Sequence, residues 1–105
     1  MNRGEIWSFE FKKPDKERPV LILTRQEMIS HLHTVTVAPL TRTIRGVSSE
    51  VVIGVEEGLK ESSAINLYHL ITIPKSGLHR FVGTVSPARM EEVREAMLFA
   101  LGFEF

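Results

Sequence analysis

Arg18 and Thr41 are the residues whose types and positions bear most directly on chemistry. Arg18 precedes one aliphatic run, Glu17-Arg18-Pro19-Val20-Leu21-Ile22-Leu23. Thr41 ends another, Val35-Thr36-Val37-Ala38-Pro39-Leu40-Thr41, which continues into Arg42-Thr43. Both runs read as buried strands. Paired antiparallel, the start of the first meets the end of the second, and the two polar groups converge. A guanidinium brings a fixed charge and a fork of donors, and a hydroxyl adds one donor; together they can grip a phosphate. Each also has a plainer role open to it. Arg18 can form a rim ion pair with Glu17 or Glu50, and Thr41 can satisfy nearby backbone.

Further cations, Lys12, Lys13, Lys16, Arg25, Arg42 and Arg45, fall in loops beside the proposed site. Such groups supply phosphate affinity without sequence choice. Tyr68 can stack a base or serve packing. The histidines, His31, His33, His69 and His79, are candidate acid–base groups by residue type. Their spacing fits no established metal motif, although His31-x-His33 would share one face of a strand. There is no cysteine, which removes thiol nucleophiles, thiolate metal sites and disulfides. Gly54, Gly58, Gly77 and Gly83 are too scattered for a phosphate loop, so no nucleotide cofactor is indicated; with the His spacing and the absence of cysteine, neither a cofactor nor a metal is expected.

The elements that must position these groups can be read from periodicity. Ile6–Phe11 alternates as a strand, and Lys12–Glu17 is a charged loop. Val20–Leu23 is too continuously apolar for a surface strand and reads as central. Thr24–His31 has room for a short helical turn, and His33–Leu40 is the third strand. Glu50–Val55 and a long Ser62–Ile73 follow as strands, and Phe81–Val85 as a short last one. Ser86 and Pro87 open a helix that Gly102 stops. Met90, Val93, Met97, Ala100 and Leu101 form its apolar stripe. These elements predict a mainly β fold with α: a small, strongly bent sheet or partly open barrel plus a C-terminal helix.

The 105 residues suit one domain, 1–105, with an ordinary globular composition. Net charge is zero, yet residues 1–45 carry eight Lys/Arg against five Asp/Glu and residues 46–105 carry five against eight. A neutral total can therefore hide a basic face and an acidic one, the plainer alternative being solvated loop charges. No signal-like run opens the chain and no stretch is apolar enough to span a membrane, so a cytoplasmic protein without membrane contact is expected.

In order along the chain, Arg3-Gly4-Glu5-Ile6-Trp7, Glu17 to Leu23, Val37-Ala38-Pro39-Leu40-Thr41, Gly58-Leu59, Ser63-Ala64-Ile65-Asn66-Leu67, Leu70 to Lys75, Leu78 and Gly83-Thr84-Val85-Ser86 resemble the MazF/PemK family of toxin endoribonucleases. The resemblance implies an SH3-like barrel with a C-terminal helix, usually a homodimer. It implies metal-independent cleavage of single-stranded RNA at short motifs, leaving a 2′,3′-cyclic phosphate and a 5′-hydroxyl. It implies inhibition by a cognate, MazE-like antitoxin whose C-terminal segment covers the RNA groove. Arg18 matches the family's catalytic Arg and Thr41 its partner. Lys16, Glu17, Arg25, Arg42, Arg45, Tyr68 and His69 become the expected RNA-binding residues, in a groove edged by the 12–17 and 42–49 loops near the dimer interface.

This sequence departs from the family at the shorter loop before Arg18, at Tyr68-His69 where an acidic or amide pair is frequent, and at Ile71 where a basic residue is common. These departures bear on the target motif more than on the chemistry. Two alternatives stay open: a gyrase-poisoning toxin of the CcdB type, acting through Phe99, Phe103 and Phe105 at the helix end, and a noncatalytic module that binds RNA or an antitoxin.

Overall fold

The alternation of the N-terminal segment becomes β1, Glu5–Glu10, which places Ile6 and Ser8 on one face and Trp7 and Phe9 on the other. β1 pairs antiparallel with β2, Glu17–Ile22, and β2 with β3, Thr34–Thr41. The computed structural model describes residues 1–12 and 17–103. β4 (Glu50–Ile53) and β5 (Ser63–Asn66) extend the sheet beyond β3, and β7 (Leu78–Thr84) lies outside β1. Among the described residues the order is β4-β5-β3-β2-β1-β7, with β6 (Ile71–Pro74) also on β3. The result is a bent, open sheet of seven antiparallel strands. A single turn of helix, α1 (Gln26–Ile29), links β2 to β3, and α2 (Pro87–Leu101) closes one face.

Val20, Leu21 and Ile22 are fully buried, as their unbroken apolar run requires of a strand covered on both faces. Leu21 belongs to a core with Ile6, Ala38, Leu40, Ile65 and Leu67, against which Val93 and Ala96 of α2 pack. Val20 and Ile22 face a second core with Phe9, Ile29, Val35, Val37 and Ile73.

The helix begins and ends where its capping residues predict. Ser86 Oγ accepts the Arg89 N–H at 3.2 Å, Pro87 takes the first helical position, and Gly102 adopts the left-handed conformation at φ 82°. Its apolar stripe differs in detail: Ala96 is buried, whereas Leu101 is 54% exposed.

The long strand expected over Ser62–Ile73 is broken. β5 ends at Asn66, a 3₁₀ turn covers Leu67–His69, and the chain resumes as β6. Both pieces pair with β3, at Leu40–Thr41 and at Thr34–Val37. The gap falls opposite Ala38 and Pro39, and Pro39 has no N–H to donate, so a continuous ladder would lose a bond there. The turn is held by the Asn66 side chain, which accepts the Tyr68 N–H at 3.1 Å, and by buried Leu67, whose N–H donates to Ser49 O at 3.0 Å. The last strand also begins earlier than expected, at Leu78, and carries two register shifts against β1.

Candidate active site

The candidate cleft arises where β2 and β3 part. Their ladder runs from Val20–Pro39 to Ile22–Val37. Glu17, Arg18 and Pro19 pair only with β1, while Leu40 and Thr41 have turned to β5. Continuing the Val20–Pro39 register by two residues sets Arg18 opposite Thr41. Both line an open cleft of about 900 Å³ between these strand ends, the 58–61 turn and β7.

Arg18 is exposed and Thr41 partly so. Thr41 Oγ1 accepts the Thr43 N–H at 3.1 Å, which orients the hydroxyl and leaves its own hydrogen to donate. Arg42 pairs with Glu61 across the rim at 3.1 Å. Buried Ser8 donates to Glu17 Oε1 at 3.0 Å and accepts the Arg80 N–H at 3.1 Å. One hydroxyl thereby ties β1, the start of β2 and β7 together at the cleft wall. Four cations, Arg18, Arg42, Lys60 and Arg80, face two carboxylates, Glu17 and Glu61, a positive excess of two among the described lining residues.

The cleft's wall depends on close backbone contact. Gly58 has φ 96°, and a Cβ there would stand 2.6 Å from Val82 O. A Cβ at Gly83 would collide with the carbonyl oxygen of Glu57. The 55–58 turn and β7 therefore touch through residues without side chains. Glu57 is buried beneath them, and its Oε1 accepts the Gly54 N–H at 2.8 Å.

The remaining expected site residues separate. Arg45, Tyr68 and His69 line a second cleft of about 540 Å³, together with Asn66 and Phe99. Tyr68 and His69 ride on the 3₁₀ turn, not on a strand, and His69 Nδ1 meets Asn66 Nδ2 at 3.2 Å. Arg25 lines neither cleft; it sits at the N-cap position of α1 and pairs with Glu27 at 3.4 Å. Lys16 lies outside the described residues, as does most of the loop expected to edge the groove. The 42–49 loop divides, with Arg42 and Thr43 in the first cleft and Arg45 to Ser49 in the second. Glu50, one partner considered for Arg18, instead accepts the N–H groups of Arg45 and Gly46 at 3.0 and 3.1 Å.

Sequence reasoning missed Ser8, Lys60, Arg80 and Phe81 as cleft residues. The signal for Ser8 was a small polar residue on the core-facing side of an alternating strand. Lys60, Arg80 and Phe81 had no local signal, because the 58–61 turn and the β7 bulges bring them in. Among the described residues no three His, Asp or Glu side chains gather as a metal-ligand set, and no helix is long and apolar enough to cross a membrane.

Residues 2–101 match the family model described as the PemK-like, MazF-like toxin of type II toxin–antitoxin systems. The chain is 41% identical over 83 residues to the endoribonuclease MazF3 of Mycobacterium tuberculosis, covering 79% of this chain and 81% of that protein. It superposes on the M. tuberculosis toxin MazF-mt6 with a TM-score of 0.89 at 36% identity, over 96% of this chain and 99% of that one. A mycobacterial endoribonuclease solved with its cognate antitoxin is similar at a TM-score of 0.87 and 26% identity, over 100% of this chain and 98% of that one. With its strand order, C-terminal helix and match over residues 2–101, the chain belongs to the PemK-like, MazF-like toxins of type II toxin–antitoxin systems.

Proposed function

We propose that this chain, one toxin domain over 1–105, is a cytoplasmic, homodimeric endoribonuclease. It cuts single-stranded RNA without a metal or other cofactor, and a cognate antitoxin restrains it. The observation that carries this reading is the convergence of Arg18 and Thr41 on parted strand ends, in a cleft with excess positive charge.

In this reaction the RNA supplies its own nucleophile. The 2′-oxygen loses its proton and attacks the adjacent phosphorus, and the P–O5′ bond breaks as the departing oxygen gains a proton. The products are a 2′,3′-cyclic phosphate and a 5′-hydroxyl. Negative charge builds on the non-bridging oxygens, so preorganised donors aimed there accelerate the step. Arg18 supplies charge and forked donors, and Thr41 adds one from its hydroxyl. A guanidinium does not readily give up its proton, which makes Arg18 a poor base, so its electrostatic role comes first.

Arg42, Lys60 and Arg80 hold flanking phosphates, and Glu17 helps shape the same wall. Arg45, Tyr68 and His69 form a second contact region for the RNA. The family relationship, and the endoribonuclease names of the relatives, favour cleavage over gyrase poisoning or passive binding. In support of the antitoxin, the mycobacterial structure similar over this whole chain is of an endoribonuclease with its cognate antitoxin.

Arg18→Ala tests the reading. Its exposed side chain leaves the core untouched, so circular dichroism and melting temperature stay as in the wild type. Cleavage of single-stranded RNA falls about 10²–10³-fold or more, and growth inhibition on expression disappears. Full cleavage by the folded variant would sink the assignment.

A further inference from the structure

Phe81 is out of place for an ordinary strand residue. It lies in β7, yet half of it, 50%, is exposed, and it lines the same cleft as Arg18 and Thr41. Register places it on their face of the sheet. Phe81 pairs with Trp7, and on that face of β1 the next residue is Phe9, the partner of Arg18. Side chains of directly paired residues share a face. With strands about 4.8 Å apart and about 6.6 Å per two residues, Phe81 lies roughly 12 Å from Arg18 along the sheet. That is the reach of a nucleotide flanking a phosphate held at Arg18.

The ring is also braced. Trp7 meets it edge-on, with centroids 6.0 Å apart and planes at 79°. The Trp7 indole N–H in turn donates to Glu5 Oε1 at 3.0 Å. The register shifts on either side of Trp7 mark bulges in the β1–β7 pairing, which re-aim strand side chains. An aromatic ring braced on one edge, left exposed and lining the same cleft as Arg18 and Thr41 suits base stacking, which needs a π-face and little ordering on binding.

We propose that Phe81 is the stacking platform for an unpaired base next to the scissile phosphate, and that it governs which nucleotides the site accepts. This proposal rests on the reading of the cleft as an RNA-cleaving site. Trp7 acts behind it as a positioning residue.

The test uses the purified full-length protein as wild type, Phe81→Leu, Phe81→Tyr and Arg18→Ala. Each is incubated with one long single-stranded RNA and the ends are mapped; kcat and KM follow on a short RNA. Binding is read by 2-aminopurine fluorescence, with the probe placed at successive positions of a short single-stranded RNA carrying 2′-deoxyriboses. Phe81→Leu is expected to raise KM roughly 5- to 100-fold with kcat little changed. It also broadens nucleotide choice beside the cut and loses the 2-aminopurine quenching, and Phe81→Tyr restores all three.

A Phe81→Leu protein with wild-type KM, cut preferences and quenching overturns the platform. Because Arg18→Ala abolishes cutting in the same assay, that result leaves the nuclease reading standing. If the wild type cuts nothing, the nuclease reading falls and quenching alone decides the platform: loss in Phe81→Leu keeps it, and no quenching in the wild type ends it. A change of oligomeric mass in Phe81→Leu reassigns the ring to a subunit contact and also overturns the proposal.

Discussion

At the scale of single residues, the proposed mechanism separates gripping from steering. Arg18 and Thr41 stand where two strands part, and neither is needed to fill the core. Removing the Thr41 hydroxyl by Thr41→Val should lower kcat about 10²–10³-fold, as loss of an oxyanion donor does elsewhere, with a smaller change in KM; a raised KM with kcat unchanged would point to binding alone. Ser8 is a different kind of residue, since its hydroxyl bonds both Glu17 and the Arg80 N–H. Ser8→Ala leaves the part-buried Arg80 N–H without its acceptor, at a cost of about 1 kcal/mol. A lower midpoint in urea, with an unchanged slope against denaturant, would register it. The Arg18–Thr41 pair was legible in the sequence because each ends a recognisable apolar run. Ser8 and Phe81 were not, because their roles depend on contacts between strands far apart in the chain.

At the scale of elements, the informative departures are interruptions. The expected strand over 62–73 alternates well enough to be continuous, but Pro39 sits opposite its middle and cannot donate there. A local reading of 62–73 cannot see a proline on the neighbouring strand. That break lifts Tyr68 and His69 onto a turn and into the second cleft, so two residues expected to contact RNA from a strand stand in a different cleft from Arg18.

The opposite wall is set by the approach of the 55–58 turn to β7. Gly83→Ala would drive a Cβ into the Glu57 carbonyl, and a destabilisation of about 1–3 kcal/mol or more is expected. An unchanged thermal midpoint would show that the wall yields.

The start of β1 is fixed electrostatically. Burial pushes the Glu5 carboxyl up, but hydrogen bonds from Trp7 and Asn2 and the nearby terminal ammonium outweigh it and hold the pKa below the usual glutamate value. A depressed folded-state value means that folding favours the ionised form. The contribution is complete above the unfolded value and is lost as pH falls through the folded one. Glu5→Gln should therefore lower the melting temperature at neutral pH, and its gap from the wild type should close in acid. A gap that persists unchanged into acid would remove the charge from the explanation.

At the scale of the whole molecule, a chain of zero net charge presents a locally positive cleft. The sequence divides into a basic first part and an acidic remainder, which suggests a basic face built from residues 1–45. The cleft instead draws Arg18 and Arg42 from that part and Lys60 and Arg80 from the rest. Segregation along the chain is a poor guide to segregation in space once β7 folds back beside β1. Each phosphate contact should appear in the salt dependence of RNA binding, so Arg80→Ala should flatten the log–log slope by about 0.7. A slope equal to that of the wild type would place Arg80 off the RNA path. The architecture itself was legible, because continuous apolar runs, alternating strands and a well-capped final helix agree with one another. The partition of the surface into two clefts was not, because it follows from the break at Pro39 and the bulges in β7.

The central claim is that this cleft cuts RNA through the RNA's own 2′-hydroxyl, with Arg18 and Thr41 supplying the charge and the donors. The most direct measurement incubates the purified protein with a long single-stranded RNA in EDTA, beside Arg18→Ala, and identifies the new ends chemically. Discrete cuts bearing 5′-hydroxyl and 2′,3′-cyclic phosphate ends, absent with the variant, are the predicted result. Cuts that require a divalent metal, that carry 5′-phosphates, or that persist in Arg18→Ala would contradict it.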